Sequence, residues 1–254
     1  MTGFTAFYRK ELHEIVRTWR IWTLPGLVLF FAIASPILTV MMPAILSTVT
    51  AGQPGVVIRM PEPTAVMACQ QFLKNLNQVV LIAVVLIAAG SIPNERRSGV
   101  AMLVLTKPLS RAGYVLAKLL SQLTLVVVAV IAGSGLCALI TRLLFGDLPA
   151  GPFFAAIGLW LTLAAFLLSV VTLLSVLCGS AGAAAGIGLG VYLLVFLLSM
   201  WGPAARLTPL GLAVAGPAVL AGGDPAVFVP VPSGLLASAL LTAITTLIFQ
   251  RKDL

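Results

Sequence analysis

The stretch LPAGPFFAAIGLWLTLAAFLLSVVTLLSVLCGSAGAAAGIGLGVYLLVFLLSMWGPAA, Leu148 to Ala205, runs for 58 residues without an Asp, Glu, Lys or Arg. About 20 apolar residues in a helix cross a hydrocarbon core of roughly 30 Å. One helix over the whole stretch would far overshoot that thickness. Its centre carries Gly179-Ser180-Ala181-Gly182, a run of small residues that breaks a helix into two. The stretch therefore predicts two membrane spans, 153–178 and 183–201, joined by a tight turn. Both are continuously apolar rather than alternating with period two, which excludes a transmembrane β-barrel.

Four further charge-free stretches lie at 21–58, 75–94, 119–141 and 225–250. Each holds one span, at 22–46, 78–93, 113–142 and 232–249. The second is short unless it begins within 72–77. The total is six, giving an all-α integral membrane protein of one domain, 1–254, with a six-helix bundle over 21–250. Composition agrees: 60% of the 254 residues are hydrophobic, 9% are charged, and the mean hydropathy is +1.14. A soluble domain carries about 25% charged residues, so a water-soluble enzyme is excluded.

Cations orient the bundle. Six spans place both termini on one side, with Arg9, Lys10, Arg17, Arg20, Arg96, Arg97, Lys107, Arg111, Lys118, Arg251 and Lys252. Only Arg59, Lys74, Arg142 and Arg206 fall on the other. The positive-inside rule puts the termini in the cytoplasm, and it leaves 48–77 and 202–231 outside. The second external segment contains five prolines, which predicts short broken helices. On this arrangement the net charge of +8 marks topology and a lipid bilayer as partner, not nucleic acid. Ala32-Ile33-Ala34 resembles a signal-cleavage site, but the apolar run continues past it, and the first span is read as retained.

Ahead of the first span, Phe4, Phe7, Tyr8, Leu12, Ile15, Val16 and Trp19 recur at helical spacing. Arg9, Lys10, Glu11, His13, Glu14, Arg17 and Arg20 fill most of the opposite face. Residues 1–20 thus predict a basic amphipathic helix in the headgroup plane, either a plain anchor or a part with a further role.

Chemistry-bearing groups are sparse. Cys69, Cys137 and Cys178 suggest no pair, and His13 is the only histidine, so no His-based metal site exists. The spans show no ionisable group at depth, no catalytic pair and no P-loop. No catalytic residue, cofactor or metal is expected on this chain, and any uphill transport must draw its energy from a partner. Gly182, Gly186 and Gly190 recur every four residues, a spacing that lets helices approach closely. It serves packing within the chain or against a second copy.

The loop after the second span reads Glu95-Arg96-Arg97-Ser98-Gly99-Val100-Ala101-Met102-Leu103-Val104-Leu105-Thr106-Lys107-Pro108-Leu109-Ser110-Arg111. Its apolar middle is too short to span, so it lies at the surface or docks into a protein. Ser110 is placed to cap the next helix. The loop resembles the coupling-helix region of bacterial ABC-2-type transporter permeases, whose pattern is roughly E-[RK]-x-x-G-T-L-x-x-L-[LV]-[ST]-x-P-[LV]-[ST]-R, then an aromatic and a lysine. Glu95, Arg96, Gly99, Thr106, Pro108, Leu109, Ser110, Arg111, Tyr114 and Lys118 match it, while Val100 and Ala101 depart from the usual Thr-Leu.

The resemblance implies a permease subunit of an ATP-driven ABC transporter, usually an exporter, in the bacterial plasma (inner) membrane. It implies two copies of a separate ATP-binding subunit, which carry ATP and Mg, and a second permease, identical or paralogous. The coupling loop 95–111 would sit in a cleft of the ATPase. There Val100, Met102, Leu103 and Leu105 would dock, with Glu95, Arg96 and Arg97 setting register at the rim. The alternatives are a subunit that transmits ATP-driven motion to an external partner protein, and a secondary carrier, which the charge-free spans disfavour.

Overall fold

The computed structural model describes residues 3–50, 62–105, 109–223 and 229–251. Among the described residues the chain is helical with no strand. In order come α1 (Gly3–Arg17), α2 (Arg20–Thr50), α3 (Ala65–Asn75), α4 (Leu81–Ala89), α5 (Pro93–Arg97) and α6 (Val100–Leu105). They are followed by α7 (Arg111–Phe145), α8 (Ala150–Leu177), α9 (Ala181–Ser199), α10 (Gly202–Leu207), α11 (Leu212–Leu220) and α12 (Pro230–Arg251). Six helical segments are long and apolar enough to cross a membrane: Arg20–Ile45, Ala65–Arg97, Arg111–Phe145, Ala150–Leu177, Ala181–Ser199 and Pro230–Arg251.

The predicted turn in the long apolar run is present. α8 stops at Leu177 and α9 starts at Ala181, with the Ser180 side chain accepting from the Ala183 N–H as N-cap. Ser110 does the same for α7, accepting from the Gly113 N–H at 3.0 Å. Both caps satisfy a backbone donor that the first helical turn leaves free.

The second span differs most from its sequence reading. It begins at Ala65, capped by Thr64, and not at Gln78. Gln70, Gln71, Lys74 and Asn75 look like external loop, yet they ride on a helix whose other face, Ala68, Cys69, Phe72 and Leu73, is fully buried. A single π-helical segment, Leu76–Val80, joins α3 to α4, with the Leu81 N–H reaching back five residues to the Leu76 carbonyl. The stretch predicted as loop over 48–77 is therefore helical from Ala65, and its residues 51–61 lie outside those described.

α8 is the hub: α4, α7, α9, α11 and α12 all pack on it. Small residues allow the close approaches. A methyl group added at Gly133 of α7 would collide with Val28 of α2, and one at Gly188 of α9 would press on Val85 and Val171. Residues 202–220 form the expected broken pieces: α10, a 3-10 turn at Pro209–Gly211, and α11, whose Leu212, Ala213, Ala215 and Gly216 are buried. A second apolar cluster gathers Phe7, Ile92, Tyr114, Val115, Val176 and Phe249. It brings α1, the start of α5, the start of α7 and the end of α12 to one end of the bundle.

Candidate functional site

At that end, the helix preceding the 95–111 loop residues is tied into the bundle by charge. Glu95 of α5 is buried. Its carboxylate accepts from Lys118 Nζ at 2.8 Å, from Tyr114 Oη at 2.5 Å and from Lys10 Nζ at 3.3 Å. Lys118, only 2% exposed, also donates to Glu11 at 3.1 Å. Lys10 completes the knot with Glu11 at 3.0 Å and with Glu14 one helical turn on. Each carboxylate oxygen of Glu11 and Glu95 thus has a donor. Three elements far apart in sequence, α1, α5 and α7, are pinned by one set of charges.

Two sequence expectations are corrected here. Glu95 was expected at a solvated rim, but it points inward to Lys118 and Tyr114. Glu11 was placed on the polar face of the leading helix, but it is buried between Phe7 and Ile15 on the face that packs against α7. Phe7, Glu11 and Ile15 recur every four residues, so they form one stripe, and Glu11 is the charge inside it. Trp19 and Trp22 are exposed. Lys118 is likewise a lone cation in an apolar helix, seven residues after Arg111. It is tolerated because two carboxylates and the faces of Tyr114 (5.2 Å) and Phe7 (6.0 Å) replace its water.

Aromatic stacking reinforces the knot. Tyr114 lies between Phe7 and Phe249, with ring centroids 5.3 Å from each. Arg111 donates to the carbonyls of Phe249 and Gln250, which ties the last turn of α12 to the first of α7. Burial disfavours the Lys10 ammonium, but Glu14, Glu11 and Glu95 outweigh it and hold its pKa above the ordinary lysine value. Glu11, Glu14 and Glu95 bring their oxygens within 4.8 Å of one another, as hard-cation ligands do. Lys10 and Lys118 already occupy the positions among them.

Beyond Glu95 the loop turns outward. Arg96 is half-buried and Arg97 exposed. Gly99 adopts φ +73°, a left-handed conformation that glycine takes without strain, and it redirects the chain into α6. Val100 is half-buried and Met102 exposed; Leu103 and Leu105 belong to α6, and Pro108 lies outside the described residues. On α9, Gly182, Gly186 and Gly190 face outward with open space around them, while Ala184 and Gly188 make the packing within the chain. The glycine stripe is thus free for a contact outside the chain.

The sequence matches the family model described as ABC-2 family transporter protein over residues 5–254. It is also similar to an uncharacterized transmembrane protein, YxlG, of Bacillus subtilis (strain 168), at 27% identity over 229 residues covering 90% of this chain and 89% of that protein. With six apolar helices and a match over nearly its whole length, this multi-pass membrane protein belongs to the ABC-2 transporter family, as a permease subunit.

Proposed function

We propose that the chain is one membrane half of an ATP-driven exporter in a bacterial plasma membrane, and that α5 and α6 carry the motion of a separate ATP-binding subunit into the bundle. The knot end is the cytoplasmic end, and both termini lie there. Two ATP-binding subunits and a second permease complete the assembly; ATP and Mg stay with the ATPases, and this chain catalyses nothing. The outward Gly182, Gly186 and Gly190 stripe supports a helix contact with the second permease.

The observation that carries this reading is the Glu95 anchorage. A push on α6 is separated from Glu95 by only the Gly99 turn, and Glu95 is held by α1 and α7 together. The segment therefore cannot move independently of the spans. Surface ion pairs contribute only about 0–1 kcal/mol, so docking should rest on the apolar side of α6. Exposed Met102 fits a groove that covers it.

The test is to replace Leu103 and Leu105 together with Asp and to co-purify the tagged permease with its ATPase. The double variant should insert but lose the ATPase, or hold it with its hydrolysis no longer responsive to the permease. Arg97→Ala, which changes an exposed charge, should keep both. A double variant with full ATPase retention and normal hydrolysis would overturn the coupling assignment.

A further inference from the structure

At the end of the bundle opposite the knot, a cavity of about 770 Å³ opens between the second span, α9 and the C-terminal end of α11. Gln70, Lys74, Asn77 and Gln78 line one side. Tyr192 and Phe196, 5.0 Å apart between ring centroids, form an apolar wall with Pro217 and Ala221 beside them. Its size is that of a pocket for a small molecule or a lipid headgroup.

Three observations point to a ligand. Asn77 lines the cavity and is 8% exposed, and its side-chain Oδ1, buried behind that surface, has no hydrogen-bond partner among the described residues. A buried acceptor left unpaired is costly. Asn77 sits in the π-helical segment Leu76–Val80, a distortion that is frequent at functional sites. Tyr192 Oη donates to the Asn77 carbonyl at 2.9 Å, which fixes the segment's backbone beside the cavity. Lys74, one helical turn before Gln78, is exposed, with no ion pair among the described residues. It lies 20 residues before Asn94, about 30 Å along a helix, and so at the far boundary of the hydrocarbon layer from the knot.

We infer that this cavity binds the headgroup of an anionic amphiphile whose acid group meets Lys74 and whose hydroxyl or amine bonds the Asn77 side-chain amide. Gln70 and Gln78 supply further amide contacts, and the Tyr192–Phe196 wall takes the apolar part. The same chemistry is carried by a phosphate ester free in solution. The two sources share a recognition site and differ only in use of the apolar wall.

The test uses the full-length chain in detergent, so it is read apart from ATP coupling and can fail without that reading failing. Native mass spectrometry measures retention of dioleoyl phosphatidylglycerol, which has both the anion and hydroxyls. Dioleoyl phosphatidylmethanol, which keeps the anion and lacks the hydroxyls, is the comparison. Wild type should prefer phosphatidylglycerol about tenfold. Lys74→Glu should lower retention at least tenfold, whereas Arg206→Glu, outside the cavity, should not. Asn77→Leu should erase the hydroxyl preference while still retaining both lipids. Ala221→Trp, a change at an exposed position that fills the mouth, should abolish retention without loss of fold. Displacement by glycerol phosphate would assign the site to a soluble ester, and persistence would assign it to the lipid. Equal loss in Lys74→Glu and Arg206→Glu, or a hydroxyl preference that survives Asn77→Leu, would overturn the proposal.

Discussion

The two ends of the bundle handle polar groups in opposite ways. At the knot, two lysines and three carboxylates are brought together from α1, α5 and α7, and the oxygens of Glu11 and Glu95 are all paired. At the far end, Asn77 is buried with an unpaired oxygen, and Lys74 stands exposed beside it. A closed network in a low-dielectric setting holds its members in one arrangement. An open one leaves binding capacity unspent. The knot has the form of a mechanical joint, and the cavity has the form of a receptor.

Breaking the joint should have the largest effect. Lys118→Met keeps the length and packing of the side chain but removes the buried cation between Glu11 and Glu95, leaving them only half-exposed Lys10. Removing one partner of a buried pair costs up to about 3–5 kcal/mol where the remaining charge is left uncompensated, and Lys10 compensates Glu11 and Glu95 only in part. Thermal melting in detergent should show a large drop, and α1 should become accessible to protease. A melting point within a degree or two of wild type would mean that the knot does not hold the three helices together. Replacing Lys118, Glu11 and Glu95 together by apolar residues of similar volume should restore much of the stability, since the network as a whole is not expected to be strongly stabilising. Coupling to the ATPase should not return with it.

The cavity end should respond with the opposite sign. Asn77→Leu removes an unpaired acceptor and substitutes an apolar side chain of similar size, so it should stabilise by about 1–3 kcal/mol. For a domain of this length, that raises the melting point by a few degrees or more. A residue that binds at the cost of stability behaves this way. Destabilisation by Asn77→Leu would mean that its amide is a structural contact, and the contrast between the ends would narrow.

The bundle was largely legible in the sequence because charge-free runs report the bilayer directly. Five of the six spans fall within a few residues of their predicted bounds. The second does not, since Gln70, Lys74, Asn75 and Asn77 look like a loop until the buried stripe Cys69, Phe72, Leu73 and Leu76 is weighed against them. The break between the second and third spans was legible, but the inward turn of Glu95 was not. Its partners Lys10 and Lys118 are 85 residues before it and 23 after it. Periodicity reports which face a residue is on, not what meets it from another helix. One local signal was available: a glutamate inside the Phe7–Ile15 stripe is anomalous on a face that packs.

The smallest effect concerns Lys10, the half-exposed member of the knot. Its pKa is raised above the ordinary 10.5, because Glu14, Glu11 and Glu95 together outweigh the burial that opposes its charge. A raised pKa means that the native state holds the proton more tightly than the unfolded chain does. The stabilisation is therefore complete at every pH below 10.5, and it fades only as pH climbs through the raised value. Solvent screens this lysine, so its contribution is about 1 kcal/mol at most. Hydrogen exchange of the α1 amides, corrected for the intrinsic rate, should accordingly stay level from pH 7 to about pH 9. Lys10→Met should weaken that protection no more than about fivefold, without altering its pH dependence over that range. If α1 in the wild type instead opened between pH 7 and 9, a Lys10 that keeps its charge over that range would not be what holds it.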